Sequence, residues 1–157
     1  MNSVVDFDYD NETGAPYLAA RINESAISYW LELFKRILTP IEFYEYTLNQ
    51  QRRDHSTHHM TVVNPLELPK IEPQTLEPFV GYPVNIQIFG IGTVKDNENE
   101  TYFLVCQCHE TTNMRKIIGL TPKDFHITLG FKAQDVFSKP KDKNTLIFPF
   151  NKVETNN

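Results

Sequence analysis

Two four-residue segments with the same pattern constrain this chain more than any other feature. They are His59-Met60-Thr61-Val62 and His126-Ile127-Thr128-Leu129. Each segment begins a run of apolar, β-prone residues, which favours a β-strand. Successive side chains of a strand point to opposite faces, so the histidine and the threonine of each segment share one face and the two apolar residues share the other. We therefore predict two strands that bury an apolar face in the core and turn an imidazole and a hydroxyl toward a cleft.

The two segments stand 67 residues apart in a chain of 157, close to half its length. This spacing predicts that each half of the molecule supplies one segment. Two imidazoles and two hydroxyls that face each other form a symmetric acid/base site for a small anion. The alternative is that His59 and His126 are ordinary strand histidines that bond to neighbouring groups. His55 and His109 also have a threonine two residues later, but no apolar strand continues from either of them.

Composition narrows the class of protein and of partner. The formal net charge of −5 and the pI near 5.5 argue against binding to long duplex nucleic acid, which requires a basic surface. A nucleotide or an RNA end is compatible with this charge. No apolar stretch approaches the roughly 20 residues that cross a bilayer, and aspartates occupy the N-terminus where a signal peptide is positively charged. We expect a cytoplasmic monomer with no membrane partner, in which Cys106 and Cys108 are reduced.

The first half of the chain is predicted to be partly helical. Residues 1–15 are acidic and turn-rich, which predicts a loosely packed arm, and residues 17–22 are compatible with a short strand. Apolar residues then recur at helical spacing, which predicts a helix from about Ser25 to Leu38. Residues 41–50 are ambiguous: the sequence has the form of a capping box with a proline at the first helical position, but β-prone aromatic residues follow.

The second half is predicted to be mostly strands and loops. In order, the predicted elements are a proline-rich loop over 65–78, a hairpin of strands over 84–94 and 101–108, a short strand over 116–120, a helical turn over 133–137, a solvated lysine-rich loop over 138–143, a last strand over 145–150 and a frayed tail over 151–157.

The two His-x-Thr segments, with the strand Tyr17–Arg21 before them and Gly130-Phe131 after the second, resemble the two-histidine (2H) phosphoesterase superfamily. That superfamily includes bacterial RNA-ligase-like proteins, cyclic phosphodiesterases of RNA repair, and enzymes that cut 2',5'-linked oligoadenylates. The resemblance implies an α+β fold with two lobes related by an approximate twofold axis, in one domain over residues 1–157. Two antiparallel sheets are expected to line a central cleft, with the helices outside.

The resemblance also implies an activity. We expect a metal-independent phosphodiesterase without a cofactor, which hydrolyses a 2',3'-cyclic phosphate or a 2',5'-linked oligonucleotide. His59 and His126 are expected to be the acid/base pair, and the hydroxyls of Thr61 and Thr128 to hold the phosphate. Two alternatives stay open: a hydrolase of cyclic oligonucleotide signals, and a module that binds RNA ends or nucleotides without catalysis.

Three further residues are predicted to bind the substrate. Some members of the superfamily carry an arginine after the second segment, where this chain has Lys132, and we expect Lys132 to supply the phosphate-binding charge although an ammonium lacks the arginine fork. Tyr17 and Phe131 are the predicted aromatic contacts. Tyr17 would stack on a base if its strand borders the cleft, and the alternative is that it is an ordinary buried aromatic of a strand.

A metal site is the competing interpretation of the histidines before the first segment. Asp54, His55, His58 and His59 lie close together in the sequence. No second cluster completes a tetrahedral ligand set, so we expect no metal.

Overall fold

The structure is a computed structural model, and it describes residues 1–149. Within these residues the chain forms four α-helices and eight strands, which confirms the predicted α+β class. The helices are α1 (Ser28–Ile37), α2 (Pro40–Arg53), α3 (Pro73–Leu76) and α4 (His109–Ile118). The strands are β1 (Asn2–Tyr9), β2 (Pro16–Ile22), β3 (His58–Val63), β4 (Pro83–Asn85), β5 (Gln87–Asp96), β6 (Asn99–Gln107), β7 (His126–Lys132) and β8 (Leu146–Phe148).

The strands form one antiparallel sheet in the order β4-β1-β2-β3-β7-β6-β5-β8. Counted from the edge of the sheet to its centre, the strands of the first half are β4, β1, β2 and β3, and those of the second half are β8, β5, β6 and β7. Each half therefore has the same order of its four strands. The two halves meet at β3 and β7, where Met60 pairs with Ile127. The prediction of two separate sheets was therefore wrong, because this central pairing makes the two four-stranded halves continuous.

Helices α1 and α2 cover one face of this sheet. A 3-10 turn over Glu24–Ile27 leads into α1, which confirms the predicted helix with a tighter first turn. The capping box decides the ambiguous segment in favour of a helix: the Thr39 side chain accepts the backbone N–H of Glu42, and the Glu42 carboxylate accepts the backbone N–H of Thr39. The main core lies on this face and includes these buried side chains: Phe34, Tyr46, Met60, Leu104, Ile127 and Leu129.

The prediction of a loosely packed arm over residues 1–15 was wrong, because this segment contains strand β1. Strand β1 lies between β2 and β4, the Val5 side chain is fully buried, and the Arg21 guanidinium lies 2.6 Å from the Asp8 carboxylate. The aspartates of this segment alternate with apolar residues, and that period of two is the pattern of a strand with one solvated face. The acidic composition concealed the pattern.

In the second half of the chain, the predicted hairpin is present, whereas the predicted strand over 116–120 and the helical turn over 133–137 are absent. The hairpin is confirmed as β5 and β6, although Val84 belongs to the separate strand β4. Residues 116–118 belong to α4, which ends at Gly119 in the left-handed conformation (φ +93°), so the predicted strand over 116–120 was wrong. Residues 133–137 form no helical turn.

The remaining predictions concern the C-terminal part and the cysteines. The last strand is confirmed only over Leu146–Phe148. Residues 150–157 lie outside the described part, so the predicted tail stays a prediction. Cys106 and Cys108 are free and buried. None of the helices in the described part has the length and apolar character needed to cross a membrane.

Gly130 sets how closely α2 approaches the sheet. A Cβ at this position would lie 3.0 Å from the backbone carbon and oxygen of Tyr46 in α2. We expect Gly130→Val to lower the free energy of unfolding by about 1–3 kcal/mol, because the larger side chain would push α2 away from β7. Urea unfolding measures this loss. Lys132→Ala, an exposed change in the same strand, should leave stability nearly unchanged, and equal losses in the two variants would contradict the close packing.

Candidate active site

The pairing of β3 with β7 places the two His-x-Thr segments side by side. Met60 and Ile127 face each other across the junction and are fully buried in the core. Continued in the antiparallel sense, the same register sets His59 beside Thr128 and Thr61 beside His126 on the opposite face. All four polar side chains line one cavity of about 180 Å³. The structure thus brings together the four residues that the sequence singled out.

The proton of the neutral His126 ring is located by its hydrogen bond. Nδ1 lies 2.9 Å from the backbone carbonyl of Asp124, and a carbonyl only accepts, so Nδ1 carries the hydrogen and Nε2 keeps its lone pair. Burial lowers the pKa of His126, and the Lys141 ammonium lowers it further. The ring edge also contacts Phe103, with 5.8 Å between the ring centroids. His126 is therefore a neutral imidazole at neutral pH.

His59 has different surroundings. Its Nδ1 is buried with no hydrogen-bond partner in the described part of the chain, and its ring packs against Tyr17 with 5.0 Å between centroids. Burial lowers the pKa of His59, whereas the Asp54 carboxylate opposes that effect and favours the imidazolium. Tyr17 is buried, lines the cavity and packs its ring against His59, so its predicted stacking on a base stays a prediction.

Buried charges lie behind the two histidines. Arg53, the last residue of α2, donates from Nε and Nη2 to the Asp54 carboxylate at 2.8 and 2.9 Å, and from Nη1 to Asp135. Asp135 also accepts the Thr101 hydroxyl at 2.9 Å and the Lys141 ammonium at 3.1 Å. Burial favours the neutral acid, but Arg53 and Lys141 outweigh it and lower the pKa of Asp135. This network of charges ties α2 to the segment after β7.

Two lysines bring positive charge to the site. Lys141 is only 5% exposed, so the prediction that residues 138–143 form a solvated loop was wrong at this position. Lys123 lines the cavity, and among the ion pairs of the described residues no carboxylate lies within 4.0 Å of its ammonium. Burial lowers the pKa of Lys123. A half-buried ammonium without a paired carboxylate is suited to a bound anion.

The structure does not place Lys132 in the cavity. Tyr102 pairs with Gly130 and Phe103 with Thr128, so Leu129 is an extra residue that forms a β-bulge in β7. A bulge reverses which side chains share a face, so Lys132 lies on the side of α2, near Glu42, rather than with His126. This position does not favour Lys132 as the residue that holds the phosphate.

Phe131 comes closer to the cavity but does not line it. The bulge turns Phe131 toward the side of the histidines, where the Arg53 guanidinium lies 5.1 Å from its ring centroid. Its side chain is buried and borders a neighbouring pocket instead. Phe131 therefore packs against Arg53, and its contact to the substrate stays a prediction.

The cluster of possible metal ligands is dispersed. His58 lies 2.8 Å from the Glu24 carboxylate, His55 bonds the backbone carbonyl of Tyr9 at 3.0 Å, and Asp54 pairs with Arg53. Over residues 1–149 no three histidine, cysteine or acidic side chains converge in a way that would hold a metal ion.

Sequence reasoning missed the buried charges around the histidines. Arg53 ends α2, whose sequence is ambiguous between helix and strand, and Asp54, which follows it, stands out in the sequence only as a possible metal ligand. Lys141 lies in a lysine-rich run that is typical of a solvated loop. Asp135 sits 82 positions after Arg53, and no local pattern links the two. The one available signal was the position of Asp135 and Lys141 shortly after the second His-x-Thr segment.

Comparison with known proteins bears on this geometry. A family model described as "Swiss Army Knife, 2H phosphoesterase domain" (2H-SAK) matches residues 27–137, which include both His-x-Thr segments and α2. The chain belongs to the 2H phosphoesterase superfamily. This family is of the phosphodiesterase type. Comparisons with curated proteins and with solved structures give no significant match.

For this 2H phosphoesterase we expect Asp135→Ala to lower the free energy of unfolding by about 3–5 kcal/mol, because it leaves two buried cations, Arg53 and Lys141, without their shared carboxylate. Chemical denaturation at pH 7 measures the loss, and Glu98→Gln in the exposed hairpin turn is the matched control.

The same carboxylate predicts a pH dependence. Its pKa is lower in the folded chain than the ordinary value of 3.8, so its stabilisation is present above pH 3.8 and is lost as the pH falls through the lowered value. This part of the acid sensitivity should disappear in Asp135→Asn. A loss at pH 7 no larger than that of Glu98→Gln would contradict the role of Asp135.

Proposed function

We propose that this chain is a metal-independent phosphodiesterase that cleaves a bond to phosphorus in a 2',3'-cyclic phosphate or a 2',5'-linked oligonucleotide. One observation carries the proposal: a histidine and a threonine from each half of the sheet meet in one cavity, His59 and Thr61 from β3, His126 and Thr128 from β7. Membership in the 2H phosphoesterase superfamily supports the reaction class.

His126 is the general base in this proposal. Its Nδ1–H is held by the carbonyl of Asp124, so the lone pair of Nε2 is the proton acceptor available to the cavity. The Lys141 ammonium disfavours the imidazolium, which keeps the ring neutral before the reaction. A neutral ring with a fixed tautomer accepts a proton without reorienting.

His59 is the general acid. The charged neighbour with the largest effect on its pKa is the Asp54 carboxylate, which stabilises the imidazolium, whereas the corresponding neighbour of His126 is an ammonium. The anionic phosphate of a substrate adds to the effect of Asp54. Burial lowers the pKa of both histidines, so the assignment of acid and base rests on the opposite signs of these two charged neighbours.

The proton transfers balance for both substrates. With a cyclic phosphate, Nε2 of His126 takes a proton from water as the water oxygen bonds to phosphorus, and His59 gives a proton to the ribose oxygen whose bond to phosphorus breaks. The product is a phosphate monoester. With a 2',5' linkage, the neighbouring 3'-hydroxyl takes the place of water and the 5'-oxygen leaves, which gives a 2',3'-cyclic phosphate.

The threonines and Lys123 provide for the negative charge. The hydroxyls of Thr61 and Thr128 are placed to donate hydrogen bonds to the non-bridging phosphate oxygens, where charge increases in the transition state. Lys123 adds an ammonium that no carboxylate within 4.0 Å neutralises among the described ion pairs.

Loss of either imidazole should abolish most of the activity. We expect His59→Ala and His126→Ala each to lower kcat by about 10²- to 10⁴-fold, the usual contribution of a general acid or base. His109→Ala, an exposed histidine at the start of α4, is the matched control. The assay follows cleavage of cyclic and linear 2',5'- and 3',5'-nucleotides with a chelator present.

The outcome of that panel separates the candidate functions. Cleavage of a bond to a ribose 2'-oxygen that persists with the chelator supports the proposal. A wild-type chain that binds nucleotides but cleaves none of the panel would contradict it and favour a binding module.

The lowered pKa values predict where activity is greatest. The pKa values of both histidines lie below the ordinary 6.5. The imidazolium of His59 is therefore depleted as the pH rises through a value below 6.5, whereas His126 becomes protonated, and so stops acting as a base, only at a still lower pH. We expect kcat/KM, which reports the free enzyme, to pass through its maximum below pH 6.5. A rate profile between pH 4 and 9 measures this position, and a maximum on the alkaline side of neutrality would contradict the assignment.

A further inference from the structure

A second, larger cavity adjoins the one that holds the two histidines. Its volume is about 520 Å³, against about 180 Å³ for the first, and His126 lines both of them. Lys123 and Phe137 also line both cavities. A molecule cleaved at the histidines would therefore extend into this space without crossing a wall of the protein.

The second cavity carries positive charge. Lys123, Lys139 and Lys141 line it, together with the carboxylate of Asp124. Lys141 is paired with Asp135, but among the described residues neither Lys123 nor Lys139 has a carboxylate within 4.0 Å. Burial lowers the pKa of Lys123, which shows that its ammonium is poorly solvated and would gain from an anionic partner.

Another pocket that borders the histidine cavity has a different charge. It is lined by Asp10, Glu12 and Asp135 and by Arg52 and Arg53, and Asp135 and Arg53 pair with each other. The remaining charges are two carboxylates and one guanidinium, whereas the second cavity has two ammonium groups without a paired carboxylate among the described residues. An extended polyanion is therefore attracted more strongly to the second cavity.

An exposed aromatic ring stands where these spaces meet. Phe137 lines both cavities and the acidic pocket, and it is 81% exposed. Leu66, which also lines the second cavity, is exposed to the same extent. A phenylalanine with this exposure adds little burial of apolar surface to the folded protein, but its ring offers a face on which a nucleobase can stack.

We propose that the second cavity binds one further phosphate and nucleoside along the strand from the bond that is cleaved. The substrate is then a linear oligonucleotide with at least two nucleotides when a terminal 2',3'-cyclic phosphate is opened, and at least three when a 2',5' bond is cleaved. In this arrangement Lys123 and Lys139 hold the additional phosphate and Phe137 stacks on the base. The inference rests on the proposed phosphodiesterase function and specifies the substrate class of that same site.

The test compares substrates that differ by one nucleotide. One pair is adenosine 2',3'-cyclic phosphate and the dinucleotide ApA ending in a 2',3'-cyclic phosphate, and the other is the 2',5'-linked dimer and trimer of adenosine. We expect the longer member of each pair to have the higher kcat/KM, by about five- to one-hundredfold if one base stacks. Phe137→Ala should remove most of that advantage, and Lys139→Ala should reduce it by about two- to fivefold.

Matched controls separate the subsite from general effects. Lys132→Ala removes the same charge on the other face of the sheet, and Tyr44→Ala removes an aromatic ring that is 69% exposed on α2. Both controls should keep the full preference for the longer substrate. For the Phe137 and Lys139 variants the readout is the ratio of kcat/KM for the long substrate to kcat/KM for the short one, because Phe137 also lines the histidine cavity and a loss common to both substrates cancels in this ratio.

Each result decides between defined outcomes. Equal kcat/KM for short and long substrates, or a loss in the Phe137 and Lys139 variants that is the same for both lengths, would overturn the inference while leaving the phosphodiesterase intact. If wild type cleaves no substrate, the proposed function fails, and calorimetric binding of adenosine 3'-monophosphate and of ApA with a 3'-phosphate still tests the subsite. Tighter binding of the dinucleotide that is lost in Phe137→Ala supports the subsite, and equal binding overturns it.

Discussion

The pairing of Met60 with Ile127 is the contact on which the rest of the molecule depends. It is where the two halves of the sheet join, and both side chains are fully buried. In a strand a shift of register by one residue moves every side chain to the other face, so burial of these two residues also fixes His59 and His126 on the face of the cavity. The free energy of burying the core thus positions the functional groups.

Two nearly identical segments are placed in different electrostatic surroundings. The Asp54 carboxylate lies near His59, whereas the Lys141 ammonium lies near His126. Asp54 is linked to Lys141 through the ion pairs of Arg53 and Asp135. Burying a charge costs free energy unless it has a partner of opposite sign, and each of these carboxylates pairs with at least one cation. The network therefore joins α2 to the chain after β7 and also distinguishes two histidines that are alike in sequence.

The parts of the site that could be predicted are those with a short-range pattern. The alternation of two-residue period placed His59 with Thr61, and His126 with Thr128, because side-chain direction in a strand depends only on the backbone. The same rule gives the wrong face for Lys132, because the bulge at Leu129 reverses the alternation. No local pattern in the sequence indicates this bulge. Residues joined only by the tertiary fold, such as Arg53 and Asp135, had no pattern to reveal them. Strand β1 could be predicted in principle, because its aspartates alternate with apolar residues. The acidic composition of the segment instead favours a loosely packed arm.

The central claim is that both halves of the sheet act on one phosphorus atom. The most direct measurement is a crystal structure of the protein with a nucleoside 2'-monophosphate bound. We expect phosphate oxygens within about 2.7–3.2 Å of Nε2 of both His59 and His126 and of the hydroxyls of Thr61 and Thr128. A phosphate that contacts the segment of one half alone, or that binds outside this cavity, would contradict the claim.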